Sequence, residues 1–202
     1  QVIRIDRDSR RPISRPARSR MMERLRGLSP SMDAFILSDY GHGTVNGDVL
    51  SAMRRLAKEK IVVGDSRYAL RSFKGLTLIT PNESEAYQLA ALPPKAPIED
   101  VGAKIMKTMG LRALLITRGN KGMSLFDEAK CILHIPVSGS DEVTDVTGAG
   151  DTVCATVTLA LAAGADFPTA SVLANHAAGV VVMKRGTATA TVSELKHAIQ
   201  QK

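Results

Sequence analysis

Four short apolar runs, each closing on polar or turn-forming residues, constrain this chain more than anything else in it. They are Ala34-Phe35-Ile36-Leu37, Ile61-Val62-Val63, Leu76-Thr77-Leu78-Ile79 and Ala113-Leu114-Leu115-Ile116-Thr117. Runs of this length without regular alternation read as strands covered on both faces. Between them, segments 45–58, 83–91 and 98–109 carry apolar residues at helical spacing, Val49, Met53 and Leu56 among them. Strands alternating with helices predict an α/β fold: a mostly parallel sheet with helices on both sides. Residues 123–126 and 131–137 read as an antiparallel hairpin, and helices over 151–164, 168–184 and 193–200 close the chain. Pro168 suits a first helical turn, where a missing N–H is no loss.

Ahead of these elements, Val2-Ile3-Arg4-Ile5-Asp6 alternates apolar and polar residues and predicts a short strand. The Arg- and Pro-containing stretch 7–18 reads as a loop. Residues 21–27 read as a helix stopped by Gly27. The charge is uneven in the same place. Residues 1–26 hold nine Arg against Asp6, Asp8 and Glu23, a net of +6 out of the +7 of all 202 residues. The chain therefore divides into a basic segment, 1–26, and a near-neutral body, 27–202. A localised like-charge run is ordinarily a solvated arm, and it also attracts phosphorylated molecules. Nucleic-acid binding is the third reading, but no RNA-binding aromatic motif or DNA-binding helix signature accompanies the charge.

Aromatics make up only 3% of the residues, with no Trp, so the core is aliphatic. No apolar run reaches the roughly 20 residues of a membrane span, and no signal-peptide pattern opens the chain. A cytoplasmic protein without membrane contact is expected. Cys131 and Cys154 are too few for a disulfide framework and read as buried thiols. The four His show no metal-ligand spacing.

In parallel sheets, ligands bind beyond the carboxyl ends of the strands. The polar groups at 38–43, 65–67, 80–85 and 117–122 all follow predicted strands and converge there. The most specific string is Asp145-Val146-Thr147-Gly148-Ala149-Gly150-Asp151, directly before an apolar helix. Small residues let the backbone approach a ligand, and the unpaired N–H groups of a helix start form an anion site suited to phosphate. Asp151 at that start is placed to take a proton from an attacking hydroxyl. Aspartate at a helix start also serves as a simple cap. A dinucleotide-binding dehydrogenase would carry its glycine motif after the first strand. Here the motif comes late, after a hairpin.

The string 145–151 resembles the C-terminal signature of the PfkB carbohydrate kinases, the ribokinase family. Thr80-Pro81-Asn82-Glu83-Ser84-Glu85 is similar to that family's Asn-x-x-Glu motif, and Thr117-Arg118-Gly119-Asn120-Lys121-Gly122 to its Thr-x-Gly-x-x-Gly segment. The resemblance covers about residues 33–200. It implies a ribokinase-like three-layer α/β/α fold, ATP and Mg2+ as cofactors, and a sugar or sugar phosphate as acceptor. Residue by residue, it implies Asp151 as the base and the backbone of Gly148, Ala149 and Gly150 as the anion hole. Asn82 and Glu85 would hold magnesium through water. Thr117, Gly119, Gly122 and Asn175 would face ATP. Asp145 and Thr147, with the Gly186 region, correspond to a monovalent-cation (K+) site of some members.

Within the family, Val2 to Asp6 and Leu37-Ser38-Asp39-Tyr40-Gly41-His42-Gly43 are similar to the heptose 7-phosphate kinase branch (RfaE/HldE type). That branch carries Lys where His42 stands and Asp-Pro-Lys where this chain has Asp65-Ser66-Arg67. Arg67 is counted with the ATP-binding residues, because its always-charged fork is suited to phosphate. The acceptor implied is D-glycero-beta-D-manno-heptose 7-phosphate, phosphorylated at O1. Family members run to about 300 residues, long for a single domain. The resemblance therefore reads this chain as their C-terminal two-thirds, with Val2 to Asp6 as a lid strand able to pair across a homodimer. A nucleotide-binding module without catalysis is the reading that competes with the kinase.

Overall fold

The computed structural model describes residues 12–139 and 144–200. The Val2 to Asp6 strand, and any dimer built on it, lie outside the described residues.

Six strands form one sheet in sequential order: β1 (Ala34–Asp39), β2 (Ile61–Ser66), β3 (Leu78–Ile79), β4 (Ala113–Thr117), β5 (Met123–Asp127) and β6 (Ile132–Ile135). The first four are parallel; β5 and β6 are antiparallel, as the hairpin reading predicts. Helices α2 (Gly47–Leu56), α3 (Glu83–Ala90) and α4 (Ile98–Met109) fill the crossovers. Parallel connections are right-handed, so strands laid down in one direction send every crossover to the same face. On that face Val62, Ile79, Leu114, Ile116 and Phe126 pack under Val49, Met53, Ala86, Val101 and Ile105. The opposite face is covered by α5 (Ala149–Ala162) and α6 (Phe167–Val182), through Val153, Val157, Leu161, Ala170 and Ala174 against Val63, Leu78, Leu115 and Leu125. Helix α7 (Val192–Gln200) packs on α6. The result is the expected three-layer α/β/α architecture.

Two local readings are corrected. The 7–18 stretch is not a loop throughout: a helix, α1 (Arg15–Leu28), begins within it and extends the helix expected over 21–27. Ser14 starts it, its Oγ accepting the Ala17 N–H at 3.4 Å, and Pro16 fits the first turn. Met21, Met22 and Leu25 rest partly buried on the core, so an apolar stripe holds the helix despite its Arg content. Second, β1 is not covered on both faces. Leu37 and Asp39 are buried, but Ile36 on the other face is 45% exposed, because among the described residues β1 is an edge strand.

The cysteines divide: Cys154 is buried and Cys131 half-buried, both as free thiols. Among the described residues no helix is long and apolar enough to cross a membrane.

Candidate active site

The carboxyl ends of β1 to β4 and the start of α5 meet along one edge. Each motif segment falls there because its polar residues form the last positions of a strand or directly follow it. After β3, Asn82 caps α3 in a reciprocal box: its side chain accepts the Glu85 N–H, and Glu85 accepts the Asn82 N–H, both at 2.9 Å. A parallel bridge joins Asn82 to Thr117, and the Thr117 N–H donates to the Pro81 carbonyl at 3.0 Å. The segments at 80–85 and 117–122 are thus one unit. Glu83 strengthens it, since Arg118 Nε lies 3.2 Å and Lys121 Nζ 3.3 Å from its carboxylate. Arg118 also donates to Ser124, tying the turn after β4 into β5.

Between that unit and the helices lies a cavity of about 440 Å3, lined by Thr117, Gly119, Gly122, Val146, Ala149, Gly150 and Asn175. Every residue that the sequence assigns to ATP, apart from Arg67, contributes to it. Asn175 is buried, and its Nδ2 donates to the Pro136 carbonyl at 2.8 Å, which joins α6 to the end of β6. The walls are mainly apolar, as suits a flat heterocycle, with few polar groups to orient it.

Gly148 caps α5 in the left-handed conformation, with Ala149, Gly150 and Asp151 as its first turn. The Ala149 N–H is already turned onto the Val146 carbonyl at 3.2 Å. The second and third helical N–H groups, of Gly150 and Asp151, have no acceptor within the helix, as is usual for a first turn. Asp145 closes the preceding loop: one oxygen accepts the Thr147 N–H at 2.9 Å and the other the Gly186 N–H at 3.0 Å. The Thr147 bonds and then the Gly186 bond hold its carboxyl below the ordinary range. The structure therefore brings Asp145, Thr147 and Gly186 together through these bonds.

Arg67 stands apart from the cavity. It lies near Asp65 and Tyr40 and lines a separate depression of about 370 Å3 with Arg71 and Glu85.

Two residues near Asp151 received no role from the sequence. Tyr40, at the end of β1, donates its hydroxyl to Asp151 Oδ1 at 2.9 Å. Asp65, at the end of β2, has its carboxyl pushed up to about 6 by burial first, then by the charges of Glu85 and Asp151, with Arg67 opposing. Both lie in strand-end segments that the sequence marks as ligand-facing; a tyrosine there, in so aromatic-poor a chain, is the available signal. Burial also raises the nearby Cys154 thiol to about 12, which leaves it inert.

Asp65 carries a stability prediction. Its folded pKa lies above the ordinary 3.8, so its contribution is fully present below about pH 4 and is lost as pH rises through about 6. Asp65→Asn removes that loss. The variant is expected to be more stable than wild type by about 1–2 kcal/mol above pH 7, after allowance for solvent screening. Urea unfolding from pH 4 to pH 8 checks this, and a difference that stays constant across the range refutes it.

Asp65 thus lies within reach of the charges of two further carboxylates, Glu85 and Asp151, at this edge. A divalent cation would relieve their repulsion. Among the described residues no group of three His, Cys, Asp or Glu is arranged to ligate a metal directly. The residues fit an ion held largely through water.

Comparison with known proteins agrees with this geometry. The chain is 41% identical over 181 residues to the bifunctional protein HldE of Chromohalobacter salexigens, covering 89% of this chain and 38% of that protein. It is 39% identical to the HldE of Proteus mirabilis, covering 99% of this chain and 42% of that protein. It therefore spans about two-fifths of the length of these relatives. In fold it is similar to phosphofructokinase-2 from Escherichia coli in complex with potassium, with TM-score 0.80 and 17% identity over 94% of this chain and 63% of that one. It is also similar to Arabidopsis thaliana ribokinase complexed with ribose and ATP, with TM-score 0.74 and 19% identity over 94% of this chain and 60% of that one. Residues 42–194 match the model described as pfkB family carbohydrate kinase, and the chain belongs to that family.

Proposed function

We propose that this chain performs ATP-dependent phosphorylation of a hydroxyl on a sugar or sugar phosphate, with Asp151 as the general base. The observation that carries the reading is the position of Asp151. It stands in the first turn of α5, beside the unpaired N–H groups of that turn, where the cavity lined by Thr117, Gly119, Gly122 and Asn175 meets the ends of β1 and β2.

With the adenine side of ATP in that cavity, the γ-phosphate falls at the start of α5. There the N–H groups of Gly150 and Asp151 and the helix dipole stabilise its negative charge. An acceptor hydroxyl on the β1 and β2 side then lies between Asp151 and the phosphorus. Asp151 takes its proton as the oxygen attacks, and the bond to the β–γ bridging oxygen breaks to release ADP. Asn82 and Glu85 would hold magnesium through water, and the ion would supply charge neutralisation to the phosphates of ATP. Asp145 and Thr147 would shape a monovalent-cation site that steadies the loop into α5.

The acceptor that best fits the relatives and the Arg67 position is a phosphorylated sugar such as D-glycero-beta-D-manno-heptose 7-phosphate, phosphorylated at O1. The guanidinium of Arg67 matches a phosphate held away from the reacting hydroxyl. The test is calorimetry with MgATP beside an ADP-release assay over free and phosphorylated sugars. Stimulation by a phosphorylated sugar is expected. MgATP binding with no stimulation by any acceptor would instead favour a nucleotide-binding module, a reading that the short span relative to HldE keeps in view.

A further inference from the structure

The Tyr40–Asp151 contact has no part in the transfer as described, yet it joins residues 111 apart in the chain and engages Oδ1 of the carboxylate read as the base. The position of Tyr40 is imposed from both sides. Before it, Asp39 is buried, and its Oδ2 accepts the Ser66 hydroxyl at 2.8 Å, latching the end of β1 to the end of β2. After it, the Gly41 N–H donates to Asp39 Oδ1 at 3.0 Å. Ser66 Oγ in turn accepts the N–H groups of Tyr68 and Ala69, at 3.2 and 2.9 Å. These bonds hold Tyr68, whose ring covers Gly41 so closely that an added Cβ would lie 2.7 Å from its Cδ2. The backbone around Tyr40 is therefore fixed, while its own side chain is 48% exposed. An exposed ring on a fixed backbone can change rotamer quickly without disturbing the core.

We propose that Tyr40 is a gate on the base: its hydroxyl holds Asp151 Oδ1 while no acceptor is bound, and so prevents transfer of the phosphoryl group to water. The inference rests on the reading of Asp151 as the base. Without the gate, a water reaching Oδ1 gives its proton to the carboxylate while its oxygen bonds to the γ-phosphorus. The bond from that phosphorus to the β–γ bridging oxygen breaks, and ADP and inorganic phosphate result. A single water gains too little from the site to displace a hydrogen bond to a charged oxygen. An acceptor brings contacts from its whole body, and these offset the loss of the Tyr40 bond as its hydroxyl takes the place. Asp65 and Arg67 are the other charged groups facing Tyr40. Tyr40 then acts through Asp151 as a positioning residue, and makes phosphoryl transfer conditional on the acceptor.

The experiment measures phosphate release from MgATP without any sugar, on the full chain. Tyr40→Phe is expected to raise release at least about tenfold, the order set by one hydrogen bond to a charged group. Tyr40→Ala, a second variant at the same half-exposed position, should show the same rise. The double variant Tyr40→Phe/Asp151→Asn should return to the Asp151→Asn level, since the gained activity runs through that carboxylate. A merely structural role lowers activity and cannot produce a gain. Release in both Tyr40 variants at or below wild type, with MgATP still bound by calorimetry, overturns the gate and leaves the kinase reading intact. A rise that survives in the double variant also overturns it. Failure of the wild-type chain to bind MgATP overturns the kinase reading, and the gate with it.

Discussion

Asp151→Asn is expected to slow phosphoryl transfer to the acceptor by about 10²–10⁴-fold, the usual contribution of a positioned general base, while MgATP binding stays nearly unchanged. The amide has the size of the carboxylate, and its oxygen still accepts the Tyr40 hydroxyl bond, so the mouth of the site keeps its shape. What it loses is the ability to take a proton. The substitution also removes one of the two negative charges that act on Asp65. The anionic nucleotide should therefore bind as well as before or slightly more tightly. Calorimetry with MgATP and single-turnover transfer to the stimulating sugar separate the two quantities. A variant with wild-type turnover would remove Asp151 from the chemistry, and parallel losses in binding and transfer would make it a structural cap.

The second large effect belongs to Gly122. Its backbone sits at φ 77° and ψ −126°, a conformation that side chains resist. A Cβ there would lie 2.0 Å from the Ile135 carbonyl oxygen and 2.7 Å from the Val137 nitrogen. These are backbone atoms of the β6 end, so no rotamer change can relieve the overlap. Gly122→Ala is expected to cost about 3–5 kcal/mol, combining backbone strain with overpacking. Small domains hold only about 5–15 kcal/mol in total. Gly119 provides the comparison. It also has a positive φ, of 58°, but a Cβ there meets nothing within 4 Å. Gly119→Ala should therefore cost only about 1 kcal/mol. Urea unfolding measures both, and similar losses for the two would mean that the contact with β6 is unimportant. MgATP affinity should also fall in Gly122→Ala, because the displaced hairpin, through Met123 and Val137 at its ends, forms a wall of the cavity.

The same segments show why some features can be read locally and others cannot. Ala113–Thr117 and Ile98–Met109 match their expected bounds because an unbroken apolar run and a helical apolar stripe are local patterns. Asn82 and Glu85 form their capping box because the two residues are three apart in one turn. The missed start of α1 is also a local matter: Ser14 and Pro16 are start signals that the surrounding arginines obscured. The exposure of Ile36 is different in kind. An apolar run specifies an extended strand that wants cover, but its place at the sheet edge depends on which neighbours the other strands find.

The motif Asp145 to Asp151 could thus be identified from the chain alone, as could the parallel sheet that places it at a ligand-binding edge. Small residues before a helix, and strands that stop at polar residues, follow from bonding rules over a few positions. Only the tertiary structure joined Tyr40 to Asp151 across 111 residues, latched Asp39 to Ser66, and set the Asp65 carboxyl among like charges. It also separated Arg67 from the cavity lined by Thr117 and Asn175. Such hydrogen bonds and charge interactions act over a few ångströms in space, and spacing along the chain does not encode which residues will come within reach.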